Sequence, residues 1–165
     1  MKEQQETLQD QIIQTWQINN WMNLYLLSGI EEEWLADVAA SKGRPVGDHF
    51  GHMHNVRLMW LKESAPELLQ GLSKIEKGMA TLSLLSDSFT VSCKALGKMM
   101  ALGLDEGNIK GFKPHPTSFF GYIIAHEAHH RGQIVLSLKE SGHPVSKKIL
   151  FGLWEWGSRA KEIES

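Results

Sequence analysis

Residues 126–133, HEAHHRGQ, decide how this chain is read. They contain H-E-x-x-H (His126, Glu127, His130), the helix signature of a zinc peptidase. They also contain plain H-x-x-x-H, a pair of metal ligands with no commitment to proteolysis. On an α-helix four residues exceed one turn by only about 40°, so His126 and His130 project from one face and can share an ion. Two ligands hold a divalent ion poorly; a catalytic site takes three and leaves a position open. The fold therefore has to bring a third ligand to this helix.

The other histidines are His49, His52, His54, His115, His129 and His143. Three of them fall in DHFGHMHNVRLMW, residues 48–60, which has the apolar spacing of a helix. On a helical wheel His52 lies close to Val56 and Trp60, with His49 and Met53 flanking, so this face points into a bundle. His54 projects to the opposite side, near Arg57 and Leu61. His52 is the best third ligand, and His49 or His54 are the reserves. Buried neutral imidazoles need partners, and a shared ion is an economical one. His129 and Arg131 lie to either side of the His126–His130 face and read as surface or dimer contacts. Gln133 shares the histidine face, where it could orient a ligand or fill a packing position, and packing is the favoured reading. Trp16, Trp60, Trp154 and Trp156 read as core, and Cys93 as a buried small hydrophobe without an activating neighbour.

The peptidase reading fares poorly. In the extended form H-E-x-x-H-x-x-G-x-x-H the glycine here, Gly132, comes one position early, and Leu136 takes the third histidine's place. A glutamate ligand further on has to be Glu140, Glu155, Glu162 or Glu164. Such peptidases align substrate against a sheet edge, and no run combines period-two alternation with β-branched enrichment. Glu127 lies about 100° around the helix from His126. It reads as an incidental residue, and no catalytic acid or base can be named.

At 165 residues the chain is one domain, 1–165, able to bury a core without disulfides. With 42% hydrophobic and 22% charged residues it is globular, and a net charge of -2 gives no bulk case for nucleic acid or anionic lipid. The single cysteine excludes an internal disulfide framework and fits a reducing cytosol. The opening MKEQQETLQDQ has no apolar signal core, and no apolar window is long enough for a membrane span. The expected setting is cytoplasmic.

Helical spacing runs from Glu6 to about Leu27, then over Glu31–Ala40, with three glutamates in the first turn. Pro45 suits a first helical position, and that helix continues to about Glu63. Residues 67–80 read as a short helical turn and a loop. Thr81–Leu104 is helical again. DEGNIKGFKPHPTS is a loop by its turn residues, and Thr117 or Ser118 can cap the motif helix, which runs to Glu140. Ser146–Lys161 forms a last helix. The expected class is all-α, a four-helix bundle with one or two additional short helices.

HEAHHRGQI, His126–Ile134, closely resembles the signature of the DinB-like (DNA-damage-inducible, YfiT-like) four-helix-bundle family. The upstream GDHFGHMHNVRLMWL resembles the helix that carries that family's first metal histidine, at His52. FGLWEWG, Phe151–Gly157, is similar to the closing segment of many members. The resemblance implies a metal between helices on His52, His126 and His130, with nickel or zinc as the metal and iron or manganese as alternatives. It implies a homodimer formed by helix packing. It also implies a metal-dependent enzyme, either a thiol-dependent S-transferase or isomerase using a low-molecular-weight thiol such as bacillithiol or mycothiol, or a hydrolase. A non-catalytic metal-binding dimer is the alternative. A small-molecule substrate or thiol is the expected partner, with no nucleic acid and no membrane.

Overall fold

The computed structural model describes residues 6–163. The start of the acidic N-terminus, residues 1–5, and Glu164 lie outside the described residues. The helices are α1 (Leu8–Leu27), α2 (Val46–Ser64), α3 (Leu82–Glu106), α4 (Pro116–Glu140), α5 (Lys147–Gly152) and α6 (Trp156–Ile163). Short 3-10 turns occupy Glu32–Ala36 and Pro66–Leu69. The all-α bundle holds: among the described residues the β-type pairing is a single isolated bridge between Ile109 and Phe112. No described helix is long and apolar enough to cross a membrane.

Local chemistry fixes the helix ends. Thr7 opens α1 with a capping box, its hydroxyl accepting from the Asp10 amide at 3.1 Å while the Asp10 carboxylate accepts from the Thr7 amide at 3.0 Å. Thr81 caps α3 by accepting from the Leu84 amide, and Gly107 ends it in the left-handed conformation (φ 70°) that a side chain resists. Two caps differ from expectation. Pro45 is the N-cap rather than the first helical residue, since its ψ of 156° is extended. His115 caps α4 in place of Thr117 or Ser118, its Nδ1 accepting from the Ser118 amide at 3.3 Å, and Pro116 takes the first helical position.

The four long helices pack α1 on α3, α3 on α2, α2 on α4 and α4 on α1. The buried residues form two apolar groups at opposite ends of this bundle. One holds Leu26, Phe50, Phe89 and Leu138, and the other Trp16, Leu61, Leu96 and Phe119. Reading each helix through the two groups gives its direction. α1 and α4 run parallel, and α2 and α3 run parallel the opposite way. Two consecutive parallel helices need a connection that travels the length of the bundle, and residues 65–81 are that crossover. It is pinned along α2 by the Asn55 side chain, which donates to the Ile75 carbonyl at 2.8 Å and accepts from the Ile75 amide at 2.9 Å. His54 is also buried under it, Nε2 at 2.9 Å from the Ser73 carbonyl.

Three expectations change. Glu31–Ala40 is helical only over its 3-10 turn, Glu32–Ala36. Ser146–Lys161 is two helices rather than one, broken around Leu153–Glu155. The break leaves Trp154 82% exposed, with Phe151 at 69% and Trp156 at 38%, so these tryptophans are not core as Trp16 is at 0%. Trp16 also spends its indole N–H on the Cys93 carbonyl at 3.0 Å. Trp154→Ser is therefore expected to change stability by less than about 0.5 kcal/mol. Trp16→Ala is expected to cost about 3–5 kcal/mol. Urea unfolding of the two variants measures the contrast directly.

Candidate metal centre

Between the two apolar groups, at mid-bundle, lies a layer of polar side chains contributed by all four long helices. Arg57 of α2 is its centre and is fully buried. Its Nε donates to Glu127 Oε1 at 2.7 Å and its Nη2 to Glu127 Oε2 at 3.0 Å, a bidentate pair. Nη1 donates to Asn20 Oδ1 of α1 at 2.9 Å, to the Phe89 carbonyl of α3 at 3.2 Å and to Ser92 Oγ at 3.1 Å. The guanidinium is stacked between the Trp16 and Phe89 rings, 4.6 Å from each centroid.

Glu127 is equally buried, and Asn19 and Asn23 each donate an amide N–H to its Oε2 at 2.7 Å. Their carbonyl oxygens accept from Arg131 Nη1, at 2.9 Å for Asn19 and 2.6 Å for Asn23. The pattern is two i,i+4 pairs facing each other, Asn19/Asn23 on α1 and Glu127/Arg131 on α4. Burial by itself raises the Glu127 pKa, but the Arg57 charge and the hydrogen bonds from Arg57 and Asn23 outweigh it and hold the carboxylate ionised. Glu127 is thus not incidental, and Arg131 is not a surface or dimer contact. The sequence signal was available: polar residues at i,i+4 in the middle of α1, and an arginine in mid-α2, have no place in a purely apolar core.

One residue earlier on α4, His126 and His130 face α2. There His52 joins them, and one nitrogen from each of the three imidazoles lies within 4.8 Å of the others. His126 Nε2 is 3.3 Å from His52 Nε2, and the His126 and His130 ring centroids are 4.7 Å apart. Of the reserves, His49 touches the group from outside, its Nδ1 3.0 Å from His130 Nδ1. His54 points away, as the wheel placed it. His129 is exposed, and Cys93 is buried, which pushes its thiol up to about 11. Gln133 Oε1 is buried without a hydrogen-bond partner, so packing does not account for all of this side chain.

Tyr122 stacks on His126 at 6.2 Å between centroids, and behind it Trp60, Phe112 and Phe119 form an edge-to-face group. On the other side His52 lines a cavity of about 420 Å³ between the start of α2 and the crossover. The cluster is therefore walled on one flank and open on the other.

Burial is the largest influence on each of these imidazoles, and it lowers their basicity. His130 falls to about 3, with the neighbouring His126 and His52 adding to the effect, and His49 falls to about 4, with Arg44 adding. His52 and His126 shift the same way. Neutral imidazoles are the form that ligates metal, and His126 Nδ1 is buried with no hydrogen-bond partner. These three residues could hold a divalent ion. Glu140, by contrast, is committed to the Ala40 amide at 2.6 Å.

Two predictions follow from the ionised layer and the neutral histidines. Glu127→Ala strands the Arg57 charge in the core and is expected to cost about 3–5 kcal/mol. Arg57→Met with Glu127→Leu should cost less than the two single changes added, a coupling that urea melts of the full cycle would read. In metal-free protein the folded histidines refuse protons that the unfolded chain accepts, because their folded pKa values lie below 6.5. Stability is then present above about pH 6.5 and falls as pH drops toward 4 and 3. Glu127, also depressed, removes more below its ordinary value of 4.5. His49→Gln should flatten the upper part of that profile in chemical denaturation across pH.

A family model described as the DinB family matches residues 1–148. No curated protein and no solved structure matches the chain. The match covers the bundle and the entire histidine cluster, and the chain belongs to the DinB family.

Proposed function

We propose that this protein is a metal-dependent enzyme whose divalent ion, nickel or zinc, is held by His52, His126 and His130, and that its reaction is a thiol-dependent S-transfer or a hydrolysis. The observation that carries this reading is the one-sided geometry of the cluster. Three imidazoles converge, no fourth histidine, cysteine or carboxylate joins their group among the described residues, and His52 opens onto a cavity. An ion with a purely structural task is closed by a fourth protein ligand, whereas a catalytic one keeps a position free. When bound, a divalent ion supplies Lewis acidity that lowers the pKa of a thiol or water and so makes a nucleophile near neutral pH.

The chain's own residues supply the rest. The His49–His130 contact through Nδ1 orients the His130 ring and leaves its Nε2 free. The Arg57–Glu127 pair fixes the rotation of α4, and with it the aim of His126 and His130. Peptidase action is disfavoured by the same pair: both Glu127 oxygens are occupied by donors, so the residue that H-E-x-x-H would make a general base is unavailable to a substrate. A cavity of about 420 Å³ suits a small molecule.

Metal analysis of untagged protein tests the first half. His52→Ala, His126→Ala and His130→Ala are each expected to lose stoichiometric metal, while His54→Ala keeps it. A His52→Ala variant that retained full metal would overturn the ligand set. A conjugation screen with several low-molecular-weight thiols against model electrophiles then tests the reaction. Turnover that is lost with the metal is the expected result, and failure with every thiol on metal-loaded protein counts against S-transfer.

A further inference from the structure

The cavity beside His52 has a charge pattern that the metal reading does not use. Five charged side chains line it: Arg44, Asp48, Lys74, Glu76 and Lys77. Both carboxylates already have partners, since Asp48 accepts from the Gly78 amide at 2.8 Å and Glu76 pairs with Lys74 at 3.6 Å. Arg44 and Lys77 have no hydrogen-bond or ion-pair partner among the described residues. They come from different elements, one from the segment entering α2 and the other from the crossover, and the Asn55–Ile75 clamp holds the two elements together. Pro45, at the N-terminal end of α2, borders the same space, so the helix adds partial positive charge to it. Arg44 and His52 line the same cavity.

The cluster itself contains no negative ligand. Behind it the buried layer sets two cations, Arg57 and Arg131, against one anion, Glu127. A divalent ion on three neutral imidazoles would keep its full positive charge, since no ligand of the group is an anion. Such a site favours an anionic ligand at its mouth.

We propose that the cavity between the start of α2 and the crossover binds a small carboxylate-bearing molecule, with the carboxylate on Arg44 and Lys77 and the rest of the molecule extending toward His52. This names a substrate class for the reaction proposed above and rests on that reading only for what happens at His52. Arg44 presents a planar fork that matches a carboxylate, and Lys77 adds a point charge.

Succinate, which carries carboxylates and no thiol, is the probe. Titrated into zinc-loaded and zinc-free protein, it is expected to shift the Arg44 Nε–H resonance in both forms. Its calorimetric affinity should fall about tenfold in Arg44→Gln, the loss of one charge-assisted contact at a partly hydrated site. A smaller fall is expected in Lys77→Gln and none in the distant Lys147→Gln. Affinity unchanged in both Arg44→Gln and Lys77→Gln overturns the proposal. Zinc content on the same samples separates the two claims, because succinate bound through Arg44 by a chain that takes up no zinc rejects the metal reading and supports the anion subsite. Mercaptosuccinate distinguishes the source of the carboxylate. Tighter binding than succinate only in the zinc-loaded protein supports a carboxylate on the thiol, and equal binding supports one on the other substrate.

Discussion

The bidentate pair between Arg57 and Glu127 is the constraint on which the rest of this bundle depends. Each partner alone would be costly in the core, where an unpaired charge forfeits its hydration. Together they are tolerated because every donor nitrogen of Arg57 and both oxygens of Glu127 are engaged. The contribution to stability over an apolar core is modest by this logic, but the contribution to alignment is not. A Leu can slide along a neighbouring helix for little energy, whereas Arg57 meets its partners on α1, α3 and α4 in one register only. The parallel α2–α3 arrangement, with its long crossover, is thereby tied at the centre rather than only at the loops.

That alignment explains why H-E-x-x-H here need not mean what it means in a peptidase. In HEAHHRGQ the spacing of four occurs twice, offset by one residue: His126/His130, then Glu127/Arg131. An offset of one residue is about 100° of rotation, so the pairs serve different neighbours. The histidines meet His52 on α2, while the glutamate and arginine meet Asn19 and Asn23 on α1 and the glutamate also takes Arg57 of α2. Rotating α4 to present Glu127 to the cavity would withdraw both histidines and break the Arg57 pair.

The sequence showed the long helices and the histidine face well, because both rest on periodicity within one segment. His52 could be chosen over His54 for the same reason: the wheel separates them by two residues, and the structure sends His54 under the crossover instead. Beyond the joining of His52 to His126 and His130, what escaped was what depends on two segments at once. Glu127 looked incidental because its partners lie 70 and 108 positions away. The crossover could not be recognised in residues 67–80, since its course follows from the relative direction of α2 and α3. Trp154 looked like core by composition, and only the break between α5 and α6 turns it outward.

The division of labour within α4 also bears on how such a site can vary. The residues that position the helix, Glu127 and Arg131, are not among those lining the cavity, which with His52 come from α2, the segment entering it and the crossover. Changing Lys74, Glu76 or Lys77 alters the charge lining the cavity without touching a buried hydrogen bond, because these side chains are exposed. Changing Asn19 or Asn23 removes one donor from the Glu127 carboxylate and one acceptor from Arg131 while their other partners remain, at a cost of about 1.5–3 kcal/mol for each lost hydrogen bond to a charged group. The charge of the cavity can therefore change through the crossover while the imidazole geometry stays fixed. The bundle fixes its three imidazoles with one set of side chains and lines the adjoining cavity with another.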